Sequence, residues 1–393
     1  MQYRCDGLRI YPTNKALGRV MNYFLVSGEA SGDLHTSRLM KELRSLDPSA
    51  SFAFMGGPRM REVGGECVVA SEHLAFMGFI DVAKNIGTIR EAGKAIQMAL
   101  INSRPDVVIC TDYASFCFRY VLPFVRKHLP QTKIVYFIPP KVWAWKKGRI
   151  KKLRTDTDLI LSIFPFEIPF FQQHQLEQVK YIGNPSLEEV EQFLSGFHTT
   201  DTAPYIALLP GSRRSEVAQN LPTMLRVASS FPDLSIKIAG TSSLPKEVYQ
   251  PFLNDTKGVE LVIDDTYRVV KGAKAALVTS GTATLETALI GTPQVVCYAQ
   301  RAGYLANYVF KRLFTTPYIS LVNLVADKQV VEELFGGLFT EEKIWNALAP
   351  LTINGEKRDK MLEQYREIKE KLQTAQPSSR LAAEAILELA RAR

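Results

Sequence analysis

Four short strings in this chain carry residue types that do chemistry, and each follows directly on an apolar run. SGEASGD, Ser27 to Asp33, comes after YFLV (23–26) and precedes the helical pattern HTSRLMKEL. Gly28 and Gly32 allow tight backbone geometry, and the start of a helix offers unpaired N–H groups to an anion or polar ligand. The plainer alternative is a strand-to-helix turn in which Asp33 caps the helix. The string is not GxGxxG, which weighs against a dinucleotide dehydrogenase. Asp112 lies two residues beyond VVIC (107–110). A carboxylate there within about 2.6–3.2 Å of a substrate hydroxyl accepts its proton, and the alternative is a structural or capping acid. LLPGSRRSEV (208–217) reads as strand, Gly/Ser turn, arginine and helix start. Gly211 and Ser212 form the turn, and Arg213 is placed to stabilise a departing diphosphate through a charged hydrogen bond worth about 1.5–3 kcal/mol. In TSGTATLE (279–286), Ser280, Gly281, Thr282 and Thr284 present small side chains and N–H groups suited to phosphate. Glu286, one turn further, can accept two hydroxyl hydrogen bonds from a ribose. No lysine follows the glycine in a P-loop frame.

Two further segments suggest contact with lipid or anions. PPKVWAWKKGRIKKLR (139–154) joins Trp143 and Trp145 to six cations between Lys146 and Arg154. Such a run suits phosphate groups or an anionic bilayer, and the alternative is a solvated basic helix face. FMGFIDVAKNIGTIREAGKAI (76–96) opens with Phe76, Met77, Phe79, Ile80 and Val82. These form either a surface for acyl chains or ordinary core. The five histidines have no HxxxH or HxH spacing, so neither a metal nor a cofactor is expected. There is no GxSxG elbow, no zinc-finger spacing and no RNP-type motif, which disfavours a serine hydrolase and a nucleic-acid reader.

The elements that must position these strings are legible in the same sequence. The 393 residues contain 46% hydrophobic and 22% charged residues, an ordinary globular balance that excludes collagenous and wholly disordered chains. No apolar run reaches the roughly 18 residues of a membrane span. Forty-eight Lys and Arg against 40 Asp and Glu give +8, favouring anionic partners. The five cysteines show no CxxC pair or regular spacing, which fits free thiols in a reducing compartment. YFLV, FAFM (52–55), VVIC, IVYFI (134–138) and LILSIF (159–164) alternate with amphipathic segments. YIALL (205–209), SIKIA (235–239), VELVI (259–263), AALVT (275–279) and QVVCY (294–298) repeat the rhythm. Alternation of this kind predicts α/β architecture, here two Rossmann-like halves in tandem, with ligands beyond the carboxyl ends of the strands. The expected boundaries are an extension over 1–20 without a signal peptide's apolar core, a first domain over 21–195, a second over 205–365, and terminal helices over 366–393. Those helices are expected to pack on the first domain or on a partner.

Two such halves, with a strand-end acid in the first and an Arg/Gly/Ser/Thr/Glu set in the second, describe a GT-B glycosyltransferase. SGEASGD, GGPRM (56–60), FMGFIDV, Asp112, VWAW (142–145), FPFE (164–167), LPGSR, SGTATLE and ISLVNL (319–324) occur in that order. Together they resemble the lipid-A-disaccharide synthase family over residues 21–393. The resemblance implies two Rossmann-like domains facing a central cleft. It implies an inverting, metal-independent transfer from UDP-2,3-diacylglucosamine to 2,3-diacylglucosamine 1-phosphate, giving a β-1,6-linked disaccharide 1-phosphate and UDP. It also implies a cytoplasmic enzyme peripherally attached to the inner membrane, monomeric or homodimeric, without nucleic acid. Asp112 then matches the base, and Arg213 stabilises the leaving UDP. Gly211, Ser212, Ser280, Gly281, Thr282, Thr284, Glu286 and Asn323 match positions around the nucleotide. The acceptor and its lipid fall to Glu29 and Ser31, to Phe76, Met77, Phe79 and Ile80, and to Lys141, Trp143, Trp145, Lys146, Lys147 and Arg149.

The chain departs from the family pattern at Ser115, where a second acid is frequent, and at Asn184, Val322 and Lys141, where histidine, proline and serine are common. These departures bear on the acceptor side. The competing expectations are another GT-B transferase moving N-acetylglucosamine from UDP to a lipid acceptor, a UDP-sugar 2-epimerase, and a basic membrane-surface protein without activity.

Overall fold

The computed structural model describes residues 20–74, 86–143, 148–198, 203–253, 258–279, 281–299 and 318–392. Its first sheet contains β1 (Asn22–Ser27), β2 (Ser51–Gly56), β3 (Glu66–Ala70), β4 (Val107–Thr111), β5 (Lys133–Phe137), β6 (Leu159–Ser162) and β7 (Val179–Tyr181). The spatial order is β3-β2-β1-β4-β5-β6-β7. The second sheet contains β8 (Tyr205–Leu209), β9 (Ser235–Gly240), β10 (Val259–Ile263), β11 (Ala275–Val278), β12 (Gln294–Tyr298) and β13 (Glu333–Phe335), in the order β10-β9-β8-β11-β12-β13.

Parallel strands covered on both faces read as unbroken apolar runs rather than alternating ones. β1 and β4 behave this way: Phe24, Leu25, Val26, Val107, Val108, Ile109 and Cys110 are all fully buried. The helix Ala30–Leu46 covers them with Leu39, Met40 and Leu43, whose three- and four-residue spacing forms one apolar stripe. Each such side chain contributes about 1.5–3 kcal/mol when fully buried. In the second sheet the helix Glu356–Leu372 packs through Met361, Tyr365, Ile368 and Leu372, again one stripe.

The strand order reverses direction between β1 and β4, and again between β8 and β11. These are the topological switch points at which open parallel sheets bind ligands. Ser27 pairs with Thr111 across the first, and Leu209 with Val278 across the second. SGEASGD, Asp112, LPGSR and TSGTATLE therefore all leave the carboxyl ends of switch-point strands.

The sequence pattern did not reveal β3, β7 or β13. Each has five residues or fewer and lies at a sheet edge, where one flank needs no apolar run. Tertiary contacts also divide the chain differently from the boundary expected at 195–205. One compact unit runs to Phe137 and includes Asp156–Leu159 and Ala382–Arg393; the other is Ile138–Thr155 with Ile160–Leu381. The helix Pro185–Gly196 belongs to that second unit, and its Leu187 and Val190 are buried in the unit's core.

Candidate active site

In the first unit the site begins with two glycines that let the β1 turn approach the β4 turn. A Cβ on Gly28 would penetrate the Tyr113 ring. One on Gly32 would stand 2.5 Å from Ser27 Oγ and 3.7 Å from Asp112 Oδ2. The Asp112 carboxylate thus lies against the first turn of the helix Ala30–Leu46. Asp112 and Tyr113 both take left-handed backbone angles, with φ of 49° and 40°. Aspartate tolerates that region, whereas for tyrosine it costs about 1–3 kcal/mol and must be held by its surroundings. The buried Tyr136 hydroxyl donates to the Asp112 carbonyl at 2.9 Å, and Cys117 Sγ lies 3.8 Å from the same oxygen. Tyr113 stacks on Phe116 at 5.3 Å, and burial, with Cys117 and Glu29 nearby, pushes its phenol pKa up. A π-helical turn, Cys117–Val121, follows directly, a deviation frequent at functional sites. Glu29 and Ser31 are exposed at the helix start, and Glu29 makes no capping bond through its side chain.

Asp33 does not cap its own helix. Its buried carboxylate accepts from Gly57 N at 2.7 Å, Arg59 N at 3.0 Å and Met60 N at 3.2 Å, so it caps the helix Pro58–Val63 across the fold. A Cβ on Gly57 would sit 2.7 Å from that carboxylate, which explains the GGP turn.

In the second unit Gly211 has φ of 112°, and a Cβ there would meet Glu216 Oε2 at 2.5 Å. Glu216 Oε2 accepts from Ser212 N at 3.1 Å and Arg213 N at 3.2 Å, and its other oxygen pairs with Arg213 Nη1 at 3.1 Å. The Arg213 side chain is nonetheless 72% exposed, so the cation remains accessible to a ligand. Gly281 precedes the helix Thr282–Ile290, and Thr284 Oγ1 donates back to its carbonyl at 2.8 Å. Glu286 accepts from the Tyr267 hydroxyl at 3.1 Å. Burial raises the Glu286 carboxyl pKa, with Glu189 adding to it and the Tyr267 bond opposing it. One of the two oxygens expected to receive ribose hydroxyls is therefore already partnered.

The side chain of Asn323, expected at the nucleotide, lies in the interior. It is fully buried, and Nδ2 donates to Val331 O at 2.9 Å and Glu333 Oε1 at 2.8 Å. Oδ1 accepts from Val330 N at 2.8 Å and Val331 N at 3.0 Å. Two donors and two acceptor sites are thus consumed in fastening the helix Leu321–Ala326 to Val330, Val331 and Glu333, where the chain enters β13. Trp143 is likewise interior: it is 5% exposed, packs in the second unit's core and donates from its indole to Glu167 Oε1 at 2.7 Å. Its ring is not offered to lipid. Ser162 donates to the other Glu167 oxygen, and burial lifts that carboxyl to about 7 against both bonds and the nearby Lys141 charge. Lys141 is exposed and Arg149 half-buried, beside a helix Gly148–Asp156 that buries Ile150 and Leu153 and exposes Lys151, Lys152 and Arg154. Asn184 caps the helix Pro185–Gly196 through Ser186 N at 3.0 Å. Phe76, Met77, Phe79, Ile80, Trp145, Lys146, Lys147 and Ser280 lie outside the described residues, as do 1–19.

Sequence reasoning missed Asn220. It is fully buried on the helix Arg214–Ala228, donates from Nδ2 to Pro210 O and to Thr279 Oγ1, both at 3.0 Å, and accepts from Ala299 N at 2.8 Å. The signal was present: Val217, Asn220, Leu221 and Met224 share one helical face, so a polar residue stands in an apolar stripe. Among the described residues no group of three His, Cys, Asp or Glu side chains is arranged to hold a metal.

The chain resembles the lipid-A-disaccharide synthase of Trichlorobacter lovleyi, with 34% identity over 371 residues, 91% of this chain and 94% of that one. Among solved structures it is similar to a UDP-N-acetylglucosamine 2-epimerase of Listeria monocytogenes, at TM-score 0.61 and 13% identity, covering 94% and 95% of the two chains. The calicheamicin glycosyltransferase CalG4 matches at TM-score 0.60 and 15% identity over 95% and 99%. At such identities the likeness shows the fold, the two-sheet α/β architecture of GT-B enzymes. The family profile described as lipid-A-disaccharide synthetase matches residues 23–387, nearly the whole chain, and the protein belongs to that family of glycosyltransferases.

Proposed function

We propose that this enzyme transfers the sugar of UDP-2,3-diacylglucosamine to the 6-hydroxyl of 2,3-diacylglucosamine 1-phosphate with inversion, releasing UDP. The observation that carries the reading is that Asp112 follows a switch-point strand of the first sheet, while Arg213 and the 281–286 helix start follow the two switch-point strands of the second, in a chain matched by the family over residues 23–387. In this account the Asp112 carboxylate takes the proton of the acceptor hydroxyl. The oxygen attacks the anomeric carbon from the face opposite the diphosphate, forming the β bond as the sugar–phosphate bond breaks. Both electrons of that bond leave on UDP. Arg213, exposed but pre-oriented by Glu216, and the N–H groups that open the helix Thr282–Ile290 take up the charge. Glu286 holds the ribose through the oxygen that Tyr267 leaves open.

The acceptor side rests on Glu29, Ser31 and the cations of 141–154, which suit a sugar phosphate at an anionic inner-membrane surface facing the cytoplasm. No helix among the described residues is long and apolar enough to cross a membrane. UDP release measured with acylated and unacylated donors, with and without acceptor, tests the reading. Release is expected only with the diacylated donor and the acceptor together. Robust transfer from the unacylated donor, or epimerisation without an acceptor, would overturn it.

A further inference from the structure

We propose that Asn220 is a positioning residue for the transfer, a single buried amide that fixes both of the turns assigned above to the donor's diphosphate. The inference rests on that assignment. Its three hydrogen bonds reach the first residue after β8, the first after β11 and the first after β12: Pro210 O, Thr279 Oγ1 and Ala299 N. Pro210 opens the Gly211–Arg213 turn, and Thr279 stands two residues before Gly281. Both donors and the acceptor oxygen of the amide are thus directed at the ends of three adjacent strands.

The position explains why an asparagine sits on the core stripe of the helix Arg214–Ala228. Burial of an amide is unfavourable unless its bonds are made, so an aliphatic residue would serve packing alone better. The same helix starts with Arg213 as its N-cap residue and carries Glu216, which holds the Ser212 and Arg213 amides. The helix therefore grips the first turn at its start and ties it to the second turn, two helical turns along, through Asn220. Asn220 touches no substrate in this account. It sets the spacing between Arg213 and the opening of the helix Thr282–Ile290, which must both address one diphosphate.

The test measures UDP affinity by calorimetry, together with KM for donor and acceptor, in Asn220→Asp, Asn220→Ala, Thr279→Val and Arg213→Ala proteins. Asn220→Asp turns a donor into an acceptor opposite the Pro210 carbonyl, while Thr279 and Ala299 can still bond to it. Asn220→Ala removes all three bonds, and Thr279→Val removes one. Weakening of UDP binding by about tenfold or more in the two Asn220 variants and severalfold in Thr279→Val, with acceptor KM unchanged, is expected. Folded Asn220→Asp protein that loses thermal stability yet binds UDP within about twofold of the parent overturns the inference and leaves Asn220 a purely structural residue. Should Asn220→Ala fail to fold, Asn220→Asp and Thr279→Val decide the matter by the same criterion. Arg213→Ala separates the two levels. Unchanged UDP binding there overturns the diphosphate assignment itself, whereas weakened binding there with unchanged Asn220 variants overturns this inference alone.

Discussion

At the scale of single residues, backbone and burial decide which side chains are free to act. Asp112 is turned toward the helix start by a left-handed backbone whose carbonyl is bonded by Tyr136. Asp112→Asn keeps that shape and removes the base, so kcat should fall by about 10²–10⁴-fold while UDP affinity is unchanged; stopped-flow or single-turnover assays with calorimetry check both. Near-normal turnover would deny it the role of base. Glu167 makes a pH prediction. Its folded carboxyl is raised to about 7 by burial, so in the folded protein it keeps its proton above the ordinary carboxylate range. Its stabilising contribution is fully present below the unfolded value and is lost as pH rises through about 7, and Glu167→Gln should flatten the fall in thermal midpoint between pH 5 and 8. An equal slope in parent and variant would contradict this. The placement of Asp112, Arg213 and Glu286 beyond strand ends was legible, because an apolar run followed by a polar turn marks the carboxyl end of a buried parallel strand. The internal partners of Asn323 and Trp143 were not legible, because a motif gives the residue type but not its contacts.

At the scale of elements, the switch-point strands were readable as unbroken apolar runs, while β3, β7 and β13 were too short to leave a pattern. Helix caps that come from distant sequence were equally invisible. Asp33 caps the helix Pro58–Val63 from 24 residues away, and no local rule connects the two. Asp33→Ala should strand three N–H groups of the β2 turn, two of whose bonds lie in buried surroundings. A cost of about 2–4 kcal/mol in denaturant unfolding is expected, since hydrogen bonds to a charged group are each worth about 1.5–3 kcal/mol and partial solvation offsets some of it. A loss below about 0.5 kcal/mol, the range of ordinary surface changes, would show that water replaces the carboxylate. The burial of Leu187 and Val190, on the helix Pro185–Gly196, among residues of the second sheet was likewise not announced by any local pattern.

At the scale of the whole molecule, +8 spread over 393 residues is meaningful only where cations stay exposed. Arg213 does so beside its turn, and Lys141, Lys151, Lys152 and Arg154 do so around one short helix. The family match spans both sheets, and the reaction proposed assigns a task to a switch point in each. The most direct measurement is therefore the product itself. Purified enzyme is supplied with UDP-2,3-diacylglucosamine and 2,3-diacylglucosamine 1-phosphate, and the product is analysed by mass spectrometry and by NMR of the new anomeric centre. A tetraacyl disaccharide 1-phosphate with a β-1,6 linkage, formed in step with UDP, is the predicted result. An α linkage, or UDP released without any disaccharide, would contradict the account.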